Sequence, residues 1–174
     1  MVGSYQHKKE ARAIAYLAMA IDDLEAAESF ITGKAKYNKA LFNCQQCCEK
    51  AMKSCLALTG AILADEHKIV QHFKGSIILK TKDKLKQELN KILPQIESTE
   101  WYYIPTRYPV TKDGEVYLRD YTEKEALEVY SSSEKFLSLC FEFIEKASSL
   151  KLPREKEELI KYLKENYKEA IKER

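Results

Sequence analysis

Between Lys8 and Ile31 the apolar residues Ile14, Leu17, Ile21, Leu24 and Ile31 recur at three- and four-residue intervals, with Asp22, Asp23, Glu25 and Glu28 between them. That spacing predicts a first helix with one face in a core, stopped by Gly33. After a short connection, Lys34 to Tyr37, a second helix is predicted over Leu41 to Leu58. At about 100° per residue, Leu41, Cys44, Cys48, Ala51, Cys55 and Leu58 form one apolar stripe. Asn43, Gln46, Lys50 and Lys53 fall opposite, flanked by Glu49. Two long helices joined so tightly are expected to run antiparallel.

Gly60 ends the second helix, and Asp65 is placed to cap a third carrying Ile69, Val70, Phe73, Ile77, Ile78 and Leu79, with Gly75 interrupting it. A fourth, from about Lys82, sets Leu85, Leu89, Ile92, Leu93 and Ile96 on one face, and Pro94 is expected to bend or break its end. From Trp101 to Gly114 helical periodicity is absent. Trp101, Tyr102, Tyr103, Tyr108, Pro105 and Pro109 supply buriable area and lower the entropy of ordering, so an ordered, functional loop is expected. Thr122 followed by Glu125 reads as a capping box, opening a helix whose core face is Ala126, Val129, Tyr130, Ser133, Phe136, Leu137, Cys140, Ile144 and Ala147. Pro153 suits the first position of a last helix with Leu159, Tyr162, Leu163 and Ile171, set to dock on the bundle or on a partner.

These elements predict an all-α protein, an antiparallel up-and-down bundle of four to five core helices plus a C-terminal helix. With 174 residues the chain accommodates one core, so residues 1–150 are expected to form the bundle and 151–174 a helical extension. Only five glycines and four prolines interrupt the chain, consistent with long helices. A net charge of +2 arises from 29 basic and 27 acidic residues, so any basic site must be local. Arg12, Asp22 and Asp23 cut the N-terminal apolar run short of a signal or membrane segment, and a cytoplasmic protein with no membrane association is expected. The abundance of Lys and Glu would suit a heat-adapted source.

Two segments together resemble a known family. Phe42-Asn-Cys-Gln-Gln-Cys-Cys-Glu-Lys-Ala-Met-Lys-Ser is similar to the Q-x-x-E-K-x-x-K signature of the HEPN family (higher eukaryotes and prokaryotes nucleotide-binding domain). His67-Lys-Ile-Val follows at the distance the family shows, and Arg107-Tyr108-Pro109 stands just ahead of the capped helix. The landmarks span about Lys8 to Ile144. The resemblance implies a helical bundle, a homodimer, and a partnership with a small nucleotidyltransferase protein in a toxin–antitoxin-like pair.

Many HEPN proteins are metal-independent ribonucleases using R-x(4–6)-H, in which histidine moves the proton and arginine stabilises phosphate charge. The histidines here are His7, His67 and His72, and none follows Arg107 or Arg119 at that spacing. No catalytic residue is therefore assigned; His67 brought near Arg107 by the fold is the alternative. The favoured reading is a binding or regulatory module. Gln46, Glu49, Lys50 and Lys53, with His67 and with Tyr103, Arg107 and Tyr108 from the aromatic loop, would hold a nucleotide or RNA phosphate and stack on a base. The structural alternative pairs Glu49 with Arg107 and packs the tyrosines in a seam.

Cys44, Cys47, Cys48 and Cys55 raise a third possibility, a thiol or zinc sensor. Three of them coincide with the apolar stripe, and no second ligand pair stands at a suitable spacing, so reduced core thiols are expected, with neither metal nor cofactor.

Overall fold

In a computed structural model, which describes residues 2–61, 69–117 and 119–171 (side chains from residue 5), the chain forms an all-α bundle with one small hairpin. Helix α1 runs Val2–Thr32, and α2 Tyr37–Thr59. Their apolar faces meet along their whole length. Lys9 lies against Gly60, Lys50 pairs with Asp23, and Ile31 shares a small cluster with Ala40, so the two are antiparallel as expected. Gly60 closes α2 in the left-handed conformation, φ +78°, which glycine adopts without a Cβ clash.

Short α3, Val70–Phe73, passes directly into a π-helical turn, Lys74–Ile78. Val70, Phe73, Ile77 and Ile78 are buried as expected, but Leu79 is 74% exposed because the wider turn rotates it off the core face. The expected Asp65 cap lies outside the described residues. Helix α4, Asp83–Thr99, buries the five apolar residues of its predicted face. Pro94 does not end it: the proline lies inside the helix, exposed, and the helix continues into a 3-10 turn at Glu100–Tyr102. Burial of Leu93, Ile96 and Thr99 around it outweighs the one lost backbone hydrogen bond.

The aromatic segment is ordered. After the 3-10 turn it winds through residues 103–107, then forms β1, Val110–Lys112, and β2, Glu115–Tyr117, an antiparallel pair in the register Val110↔Tyr117, Thr111↔Val116, Lys112↔Glu115. Asp113 (φ +53°) and Gly114 (φ +83°) make the two-residue turn. Two successive positive φ values are what a type I′ hairpin requires.

Helix α5, Glu123–Ser148, begins as predicted. Thr122 accepts a hydrogen bond from the Glu125 backbone N–H at 3.2 Å. The Glu125 carboxylate does not complete a capping box, because it is engaged elsewhere. The pairs Cys48–Ser133 and Cys55–Cys140 set α5 parallel to α2, and Glu88–Lys135 with Gln95–Ser132 set α4 antiparallel to α5. The four long helices therefore alternate in direction.

Helix α6, Lys156–Asn166, starts three residues later than Pro153 predicted; Glu155 stands at its N-cap. It docks on the bundle antiparallel to α1. Leu152, Leu159 and Tyr167 are buried, Lys156 pairs with Asp22, and the Tyr167 hydroxyl donates to Glu10 at 3.1 Å. Among the described residues no helix is long and apolar enough to cross a membrane.

Candidate functional site

Helix α2 is packed on several sides by α1, α4 and α5, so much of its polar row is internal. Gln45 and Glu49 are buried. Lys53 Nζ lies 2.8 Å from Glu49 Oε1, Gln45 Nε2 donates to Glu49 Oε2 at 3.1 Å, and Gln46 Nε2 donates to Gln45 Oε1 at 2.6 Å. Lys50 pairs with Asp23 across the α1–α2 interface. Burial pushes the Asp23 carboxyl up despite that lysine. Gln46, Glu49 and Lys53 are thus joined through Gln45 in one seam of hydrogen bonds and an ion pair, while Lys50 is held by Asp23.

Arg107 is placed apart from this seam, and the expected Glu49–Arg107 pair is corrected: Lys53 and Gln45 engage the Glu49 carboxylate, and Arg107 turns to aromatic rings. Its guanidinium carbon lies 5.3 Å from the ring centroid of Phe42, 5.1 Å from Tyr103 and 5.5 Å from Tyr108. One nitrogen donates to the Tyr103 hydroxyl at 2.9 Å. Ring faces attract the cation without neutralising it. No carboxylate among the described residues lies within ion-pair distance of it. His67 lies outside the described residues, so its expected place beside Arg107 does too.

Arg107 and Tyr108 line a cleft of about 590 Å³ at the base of the hairpin. One wall is the α1–α2 connection and first turn of α2 (Lys36, Tyr37, Asn38), and the other is the chain leaving β2 (Tyr117, Arg119, Tyr121). Arg119 is bound to Glu125 at 2.7 Å and stacks on Tyr121 at 5.0 Å. Burial pushes the Tyr121 phenol up, and its hydroxyl is buried with no hydrogen-bond partner among the described residues, an arrangement proteins avoid unless something else meets the group. Lys36 and Asn38 form no side-chain hydrogen bond or ion pair with any described residue, and the α2 N-terminus has no side-chain cap. Asp120 also lines the cleft, which thus combines cations, aromatic faces and open hydrogen-bonding groups with one carboxylate; the cations suit a phosphate and the rings a base to stack. Of the predicted residues that are described, Arg107 and Tyr108 line it and the others do not. Lys36, Tyr37, Asn38, Tyr117, Arg119 and Tyr121 carry no motif or spacing that marks them in the sequence.

All five cysteines are buried free thiols, including Cys47, which lies off the predicted stripe. Burial pushes Cys44 up to about 12 and Cys48 up to about 11, and holds Cys47 and Cys140 well above the ordinary thiol range. They are packing groups at neutral pH, not nucleophiles. Among the described residues no cluster of three or more His, Cys, Asp or Glu is arranged to hold a metal ion.

Comparison with known proteins agrees with this architecture. The chain is 32% identical over 139 residues to a Methanocaldococcus jannaschii protein named "Putative toxin MJ1304", covering 78% of this chain and 90% of that one. The crystal structure of TT1696 from Thermus thermophilus superposes with a TM-score of 0.62 at 27% identity, covering 78% of this chain and 98% of that one. ST0689, described as an archaeal HEPN homologue, superposes with a TM-score of 0.56 at 30% identity over 76% of this chain and 98% of its own. The HEPN domain model matches residues 13–146, most of the bundle, and the chain belongs to the HEPN family.

Proposed function

We propose that this HEPN module is the binding and regulatory half of a toxin–antitoxin-like pair, working in the cytoplasm as a homodimer with a small nucleotidyltransferase, and that its cleft takes a nucleotide. The observation that carries the nucleotide reading is the contrast between two groups of cations. Lys50 and Lys53 are each held by a carboxylate, whereas Arg107 and Lys36 face an aromatic cleft with none bound to them. An incoming phosphate would meet cations that no described carboxylate holds in an ion pair, with the Asp120 carboxylate in the same lining offsetting part of their charge.

Calorimetric titration of the intact chain with ATP tests this. Binding is expected, and Arg107→Ala should weaken it at least tenfold, the scale of one charge-assisted hydrogen bond, with the bundle still folded and its melting temperature lowered only by the loss of the exposed ring contacts. No heat at millimolar nucleotide would sink the cleft assignment. Affinity capture of the chain from its native cytoplasm, followed by mass spectrometry, tests the partner independently; recovery without any nucleotidyltransferase would sink that half.

The name of the archaeal relative speaks of a toxin, and a second reading gives this chain a toxic activity of its own, which the family resemblance would make a ribonuclease with a non-standard site. Labelled RNA cleaved by the wild type and spared by His67→Ala would establish it. Cleavage unaffected by that change would not.

A further inference from the structure

The cleft holds three chemically different kinds of group: cations, a carboxamide and a carboxylate, Asp120. Lys36 and Arg107 are cations, and Asn38 is a neutral carboxamide with a donor and an acceptor side by side. Asn43, further along α2, shows the usual fate of such a group: its amide donates to the Lys39 carbonyl at 2.8 Å. Asn38, half-buried in the cleft wall, forms no such bond. A bare phosphate offers acceptors only, so it would leave the carbonyl half of Asn38 unmatched. A nucleobase offers both.

Stacking on Tyr37, Tyr108, Tyr117 or Tyr121 is indifferent to which base is bound, because every base has a π-face. Of the side chains in that lining the carboxamide sets a donor beside an acceptor, so it can tell an amino–ring-nitrogen edge from a carbonyl–ring-nitrogen edge, whereas the Asp120 carboxylate only accepts. Adenine presents the N6 amino donor beside the N7 acceptor, which Asn matches with two parallel hydrogen bonds; guanine presents O6 and N7, both acceptors, and sets O6 against the Asn carbonyl. We propose that Asn38 is the base-reading residue of the cleft and that the ligand is an adenine nucleotide, with Lys36 and Arg107 on its phosphates. The proposal rests on the nucleotide reading given above and narrows it to one base.

The test is titration of the full chain with ATP, GTP and inorganic tripolyphosphate, for the wild type, Asn38→Leu and Asn38→Gln. The wild type should bind ATP about tenfold more tightly than GTP, the usual scale for one bidentate base contact. Asn38→Leu should bring ATP down to the GTP level and leave tripolyphosphate unchanged. Asn38→Gln, which keeps the amide, should retain part of the preference, and this separates base reading from damage to the first turn of α2. Equal affinity for ATP and GTP in the wild type, or a preference that survives Asn38→Leu, overturns the adenine assignment while the nucleotide reading stands. Failure of all three probes to bind overturns both.

Discussion

Lys53 Nζ stands 2.8 Å from Glu49 Oε1, and Gln45 reaches the other oxygen of the same carboxylate from one turn on the opposite side. Glu49 is only 5% exposed, so Lys53 and Gln45 stand where water would otherwise solvate its carboxylate. Lys53→Ala should lower unfolding free energy by about 2 kcal/mol, less than a fully buried pair because Gln45 remains and Lys53 is partly solvated. Chemical denaturation measures this. ATP affinity should stay within about twofold of the wild type, whereas Lys53 acting as a phosphate ligand would show a loss of affinity at intact stability.

Pro94 is exposed inside α4 and leaves the Asn90 carbonyl without its helical donor. Pro94→Ala restores that donor and sacrifices little packing. The substitution should raise stability by about 1 kcal/mol or more, read as a higher denaturation midpoint at unchanged slope.

The buried thiols make the protein sensitive to alkali. Cys44 and Cys48 are raised from an ordinary value of 9.0 to about 12 and about 11, so unfolding releases their protons more readily than the native state does. Their contribution is fully present below pH 9 and is lost as pH rises from there through 11 to 12. Melting temperature followed from about pH 8 to 11 should fall beyond about pH 9. A thiol reagent near neutral pH should label the native chain slowly and all five cysteines once it is unfolded; fast native labelling would contradict the burial.

Leu159 is fully buried where α6 meets α1, beside the Lys156–Asp22 pair. Leu159→Ala should cost about 2–4 kcal/mol of docking or global stability. Hydrogen exchange locates the loss: protection should fall first in α6 and on the facing turns of α1, with the centre of α2 retained.

The long elements were legible in the sequence because each has a single apolar face at helical spacing: Ile14 to Ile31, Leu85 to Ile96, Phe136 to Ile144. Helix α2 was half-legible for the opposite reason. Surrounded by three neighbours, it buries Cys47, Gln45 and Glu49 as well as its stripe, and a polar residue that finds an internal partner looks, in sequence, like a solvated one. The hairpin escaped because its strands are three residues long and exposed throughout, leaving Asp113-Gly114 as the only local sign. Arg107 and Tyr108 could be singled out by composition and by the family signature. Lys36 and Asn38 join them only through the way the bundle brings residues far apart in the chain to one end.

A single oxygen fastens both ends of the aromatic segment. Glu125 Oε1 accepts from the Tyr102 hydroxyl at 2.8 Å and from Arg119 at 2.7 Å, so the chain departs from the bundle and rejoins it at the first turn of α5. The whole excursion, with Arg107, the hairpin and half the cleft, is drawn closed like a purse on one string. A residue outside the cleft therefore governs its shape: neutralising Glu125 would slacken both ends together and leave the four-helix body standing.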